Sequence, residues 1–186
     1  MRIKTITPTE ELSISQRSDF RLAAIAQGKE HAIARGLATR ESAERILCAR
    51  PVQNIADFGT AADAWLTGAL LVAGTAYTVF NNIAAPAVPA NRVFVFYKVG
   101  VETVPLPVSL LNFRQGAGGG TTYAQFDLEQ LVNCQAVDGY FSEPIVYEPT
   151  EVMLVQVVCR APATGVAARV QLGCYVIEAL GATISA

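Results

Sequence analysis

The chain has 186 residues, which is enough for one well-filled core and an appendage. Hydrophobic residues make up 52% of it and charged residues 16%, well below the charged share of a typical soluble domain, so we expect an assembly to cover much of its surface. An efficient β-core with alanine-rich loops is the alternative. The net charge of −2 does not favour binding to nucleic-acid phosphates or to an anionic membrane surface.

Membrane, secretory and metal-binding segments are not predicted. The longest charge-free run, between Asp63 and Arg92, is interrupted by Gly, Thr and Asn and does not make a convincing membrane span. The N-terminus is basic but lacks the apolar region of a secretory signal. The four cysteines form no CxxC pair and there is one histidine, so we predict no metal site and expect buried free thiols in a protein made in a reducing cytosol.

Residues 1–60 are predicted to form a charged arm with one or two helices. A first helix is expected to start at Ser15 or Ser18 and to stop at Gly36, and a second one to run from Thr39 to before Pro51. The apolar stripe is thin and rich in alanine, so it would gain burial by docking on a partner. Packing on the chain's own sheets is the alternative. The expected interface residues of this arm are Phe20, Leu22, Ile33, Ile46 and Leu47.

Residues 61–186 are predicted to form an antiparallel β-sandwich, of jelly-roll or immunoglobulin-like type, so the chain as a whole is mainly β. Seven or eight strands are expected, with turns every ten to fifteen residues. Among them are 77–80, 92–99, 121–127 and a kinked strand over 140–147. Residues 103–113 contain two prolines and are predicted as an edge or bulged strand. The glycine-rich run 116–120 lacks the ending of a phosphate-binding loop and is predicted to be a hairpin tip.

Residues 151–178 read as two β-rich runs around a Pro/Gly turn, which predicts a long hairpin. The second run alternates apolar and polar residues, as in a strand with one buried face. The first run is apolar on both faces, so a second sheet or a neighbouring subunit should cover it on both sides. We therefore add Met153, Val155 and Val157 to the predicted interface.

Catalytic and cofactor sites are not predicted, and we expect a protein that is not an enzyme. His31 lies in a charged helical stretch and is interpreted as a solvated helix residue. The carboxylate pairs Asp127 with Glu129 and Glu143 with Glu148 are interpreted as solvated faces. The strand tyrosines Tyr97, Tyr123, Tyr140 and Tyr147 suit sandwich packing or a sugar-binding platform.

Three segments resemble small structural proteins of tailed-bacteriophage virions, in particular capsid decoration (cement) proteins. They are AGTAYTVFNN at 73–82, RVFVFYKVG at 92–100 and VAARVQLGCYVIE at 166–178. The resemblance implies a location on the capsid surface of the virion, the major capsid protein as partner, and self-association into homotrimers or homodimers. It implies neither nucleic-acid nor membrane binding, and it carries no functional residues to transfer.

Two other functions fit the same sequence. A tail, neck or fibre-attachment subunit would have this composition, and its position in a particle would distinguish it. A carbohydrate-binding β-sandwich would carry exposed aromatic residues and bind glycans as an isolated domain. Under the decoration hypothesis, residues 1–50 anchor the protein on its assembly and the sandwich forms the oligomer core.

Overall fold

The computed structural model describes residues 3–52, 57, 66–67, 72–79, 87–101, 108–116, 120–159 and 169–180. The described chain is mainly β and sandwich-like, with two stacked sheets and one long helix. This confirms the predicted class, while the jelly-roll or immunoglobulin-like type stays a prediction. The helices are α1 (Ile14–Ala34), α2 (Ala43–Ile46) and α3 (Glu129–Asn133), and a short 3-10 turn covers Thr9–Glu11.

Sheet A contains five strands in the order β1-β8-β7-β10-β5. Their bounds are β1 (Ile3–Lys4), β8 (Thr121–Asp127), β7 (Val108–Gln115), β10 (Met153–Cys159) and β5 (Ala76–Thr78). All neighbours are antiparallel except β1, which runs parallel to β8. Strands β7 and β8 pair as a hairpin across the glycine-rich run, as predicted, although residues 117–119 of that run lie outside the described residues.

Sheet B contains six strands, with the order β2-β9-β6-β11-β3 and with β4 also paired to β11. Their bounds are β2 (Ile6–Pro8), β9 (Asp138–Tyr147), β6 (Arg92–Val101), β11 (Arg169–Ala179), β3 (Leu47–Pro51) and β4 (Leu66–Thr67). All of these pairs are antiparallel.

The main core lies between the two sheets and is built on aromatic rings. Phe113 of sheet A packs edge-on against Phe126 and Phe141, and the latter two rings stack with centroids 4.2 Å apart. Both sheets supply these rings because alternate residues of each strand point to the same face. Each buried ring removes about 150–250 Å² from water, so this cluster dominates the packing energy.

The predicted hairpin over residues 151–178 is wrong. Strand β10 pairs with β7 and β5 in sheet A, whereas β11 pairs with β6, β3 and β4 in sheet B, so the two runs lie in opposite sheets. Two consecutive strands can bury their apolar faces either by pairing in one sheet or by stacking in two sheets across a core. Cys159 and Cys174 face this core from opposite sheets, and burial raises the pKa of the Cys174 thiol.

Of the two forms predicted for residues 103–113, the edge strand is wrong, whereas a register shift between Phe113 and Arg114 agrees with the bulged strand. Strand β7 begins at Val108, after both prolines, and it lies inside sheet A between β8 and β10. Because the prolines precede the strand, they do not remove any donor from its ladder.

Helix α1 starts at Ile14, one residue before the first predicted position. Ser13 caps it, because its hydroxyl accepts a hydrogen bond from the Gln16 backbone N–H while the Gln16 side chain accepts one from the Ser13 N–H. The helix ends at Ala34, and Gly36 follows with a φ of +76°, as expected for a glycine stop.

An N-terminal arm separate from the sheets is not confirmed. Helix α1 packs on the outer face of sheet B, with its small residues Ala24, Gly28 and Ala32 buried against strands β6, β9 and β11. The second predicted helix is limited to α2, after which residues 47–51 turn into strand β3 beside β11. The division of the chain at residue 60 stays a prediction.

Candidate docking surface

Beside the face that packs on sheet B, helix α1 lines a groove of about 580 Å³, and Ile25 and Ile33 of this groove also contact the core under the helix. Its floor is formed by aliphatic side chains that recur at helical spacing and by one residue of α2. They are Leu22, Ile25, Ala26, Ile33 and Ala43. Leu22 is 61% exposed, although the opposite face of the same helix is fully buried. A partner could therefore still bury apolar surface here.

Charged side chains border this groove. Lys29 Nζ lies 3.0 Å from Glu44 Oε1, and Arg40 lies 3.2 Å from Glu30 Oε2. The Arg40–Glu30 pair is largely open to water on both sides, and in the other pair Glu44 is 83% exposed, so each pair contributes little to the stability of the fold. An apolar floor within a charged border is the usual composition of a protein-binding surface.

The C-terminal end of α1 is clamped to the turn after strand β9. His31 Nδ1 lies 2.7 Å from Glu148 Oε1, and Arg35 Nε donates to Glu148 Oε2 over 2.6 Å. Because an ionised carboxylate only accepts hydrogen bonds, Nδ1 of His31 carries the proton. The hydrogen bond from Arg35 lowers the pKa of Glu148 most, and His31 lowers it further. This clamp holds the groove-bearing helix in place.

The clamp predicts a loss of stability in acid. Because the folded-state pKa of Glu148 lies below its ordinary value of about 4.5, ionised Glu148 stabilises the fold above that pH, and its contribution is lost as the pH falls through the folded-state pKa. Urea unfolding of wild type and Glu148→Gln should therefore differ at neutral pH and converge in acid. Glu41→Gln makes the same change at an exposed position. A constant difference between wild type and Glu148→Gln down to the most acidic pH would contradict this prediction.

The predicted interface residues fall into three groups. Leu22 and Ile33 line the groove, whereas Phe20 is half-buried with its ring centroid 5.4 Å from that of Tyr140. Ile46 is half-buried and Leu47 is buried under α1. The three residues of β10 are fully buried in the core between the sheets, so they are not at the surface: Met153, Val155 and Val157. An interface role for the remaining five stays a prediction.

Residue spacing alone did not reveal the whole groove. Ile25 and Ala43 were not singled out, although Ile25 follows Leu22 at the i+3 spacing of a helix face. Ala43 lines the groove because residues 37–42 bring the chain back alongside α1. The spacing of apolar residues in the sequence does not predict this return.

The histidine and two of the tyrosines surround a smaller cavity of about 200 Å³. It is bordered by His31, Tyr123, Tyr147, Glu148 and Glu151. Contrary to the solvated reading of His31 and Glu148, both are paired. Glu151 also has a structural role, since its Oε2 accepts from the Glu148 backbone N–H at 2.8 Å.

The strand tyrosines do not form one exposed platform. Tyr140 and Tyr147 are buried, Tyr97 is half-buried and stacked on Tyr175 with centroids 5.0 Å apart, and Tyr123 is 51% exposed. Burial raises the pKa of Tyr97 and of Tyr123, so both phenols stay neutral at physiological pH. Sugar binding stays a prediction without support from this arrangement.

A buried charge network joins β3, β6 and β11 near the ends of these strands. Arg50 bridges Asp57 and Glu178, with Nη1 3.0 Å from Asp57 Oδ2 and Nε 2.7 Å from Glu178 Oε1. Arg92 reaches the same two acids, at 3.7 Å and 3.1 Å. Both partners raise the pKa of Arg50.

Within the described ranges, no group of three or more His, Cys, Asp or Glu side chains could hold a metal ion, and no helix is long and apolar enough to cross a membrane.

No protein-family model matches the chain, and neither does any curated protein. Among solved structures, the chain is similar to a chain of the acidic stable capsid structure of Helicobacter pylori bacteriophage KHP30. The two share 11% sequence identity with a TM-score of 0.35, and the match covers 72% of this chain and 94% of that one.

Proposed function

We propose that this chain is a non-enzymatic structural protein of a tailed-phage virion, a decoration subunit that binds the outer surface of the head and stabilises contacts between major capsid proteins. The observation that carries the proposal is the groove along α1. The fold covers Ile25 and Ile33 of this groove only in part, and it leaves Leu22 61% exposed. The resemblance of three sequence segments to decoration proteins supports the same function.

The groove suits binding without rearrangement. Helix α1 is held by small residues on sheet B and by the Glu148 clamp, so little ordering is needed when a partner docks. Burial of apolar surface contributes about 25 cal/mol per Å², and a rigid surface retains more of that gain than a mobile arm. A segment of the major capsid protein with apolar side chains for the floor and charges for the border would fit it.

The test is binding to phage heads that lack this protein. Leu22→Asp places a carboxylate in the groove at a position that the fold leaves exposed, so it should reduce occupancy on heads at least about tenfold. Ile14→Asp is the matched control, because Ile14 is 85% exposed on the same helix and does not line the groove. Occupancy would be measured by co-sedimentation, with circular dichroism to check the fold.

Each outcome separates the alternatives. Equal occupancy of wild type and Leu22→Asp would show that the groove is not the docking surface. Electron cryomicroscopy that finds the protein at the neck or tail and not on the head would favour the tail-subunit function. Glycan binding by the isolated protein without head binding would favour the carbohydrate-binding function.

A further inference from the structure

The outer face of sheet A differs in chemistry from that of sheet B. Sheet B is covered by α1, whereas no described helix lies over the outside of sheet A. Its central row consists of uncharged residues that oppose one another in register across five strands: Ile3, Gln125, Asn112, Gln156 and Thr78. Gln125 Nε2 donates to Asn112 Oδ1 at 2.8 Å, which confirms that these amides share one face.

Opposite charges stand at the two ends of this face. Asp127 lies one row away from the amides on one side, beside Leu110, and Arg114 lies one row away on the other side. Arg114 donates to Gln156 Oε1 and to the Gly120 carbonyl, while Asp127 accepts from the Glu129 backbone N–H. Within the part of the chain that the structure describes, neither charge has an ion-pair partner.

From this pattern we infer that the outer face of sheet A binds the same face of a second copy of this chain, around a two-fold axis along the amide row. Amide groups both donate and accept hydrogen bonds, so a row of them complements itself. A rotation about this axis reverses the strand direction in the second copy. Arg114 of each copy therefore lies above the end of the face that carries Asp127 in the other copy. No charge lies on the axis, where burial would be most costly.

The size of the face is sufficient for a dimer. The five strands contribute two, seven, eight, seven and three residues, in the order β1, β8, β7, β10 and β5. At about 3.4 Å per residue and about 4.8 Å between strands, they give a face of roughly 440 Å². Two such faces bury on the order of 1,000 Å², which is the lower limit for a specific contact. The apolar residues Leu110 and Val158 flank the amides and add to the area that a second copy would remove from water.

The test is the mass of the full-length protein by sedimentation velocity over a range of micromolar concentrations. Wild type should reach about twice the chain mass of 19.8 kDa. Asn112→Asp keeps the side-chain shape and can still accept from Gln125, but it stacks two carboxylates on the axis. It should raise the dissociation constant about tenfold or more. Gln27→Glu is the control, since it adds one negative charge on α1, on the other side of the sandwich.

Three results would overturn the inference: a wild type that stays monomeric, a dimer that Asn112→Asp does not weaken, or a trimer, which a two-fold face cannot build. Thermal melting of each variant would separate dissociation from unfolding. The inference does not depend on binding to a phage head, because neither Leu22 nor the α1 groove contributes to this face.

Discussion

Replacing Asp57 with alanine is expected to lower the free energy of unfolding by about 3–5 kcal/mol, since it leaves two largely buried arginines to share one carboxylate. The Asp57 side chain is 6% exposed, and it is shared by Arg50 and Arg92. Removal of the carboxylate leaves Glu178 as the one acid of this network facing two guanidinium groups. The measurement is urea unfolding followed by circular dichroism at neutral pH.

An exposed ion pair provides the control for this network. Glu30→Ala removes the partner of Arg40, whose side chain is 80% exposed, so the free energy of unfolding should barely change. Asp57→Asn keeps the shape of the side chain and loses its charge, which tests whether charge and not packing matters. If Asp57→Asn unfolded at the same urea concentration as wild type, the charge network would not stabilise the fold.

Replacing Gly28 with leucine is expected to detach α1 from sheet B. A Cβ atom at Gly28 would lie 2.5 Å from Val95 Cγ2 and 2.7 Å from Ile177 Cγ1, well inside contact distance. Both neighbours are β-branched residues of central strands and cannot swing away. Even Gly28→Ala should destabilise by about 1–3 kcal/mol through overpacking, although alanine alone favours a helix by about 1 kcal/mol.

The matched control for Gly28 is Ala23→Leu, which adds a larger group on the solvent side of the same helix. It should leave the free energy of unfolding nearly unchanged. Hydrogen exchange would show where the damage lies, because Gly28→Leu should lose protection in α1 before the strands do. A Gly28→Ala variant that is more stable than wild type would mean that α1 rests on the sheet more loosely than the structure indicates.

Local elements were predictable where the sequence pattern alone decides them. The β-branched run at residues 92–99 became most of β6, the strand at 121–127 became β8, and Gly36 ended α1 as expected. These predictions succeeded because strand propensity and a glycine stop act over a few residues.

The contacts between different strands and helices could not be predicted from the sequence pattern. Strands β10 and β11 are consecutive and both apolar, and nothing in their periodicity states whether they pair or stack. The contact face of α1 was missed because alanine and glycine carry little hydrophobic signal, yet their small size is what lets the helix approach sheet B. The pairing of Asp57 with Arg50 and Arg92 has no sequence signature either, since it depends on how the fold brings the three side chains together.

Residues 3–8 cross between the two sheets. Strand β1 pairs with β8 in one sheet, β2 pairs with β9 in the other, and Thr5 alone separates them. During translation, these residues cannot pair until β9 has been synthesised, and β9 ends at Tyr147. At about 5–20 residues per second, a ribosome takes roughly 7–28 s to add the residues between Pro8 and Tyr147. The closing of the sandwich is thus a late step of biogenesis, and the nascent chain carries unsatisfied strand edges until then.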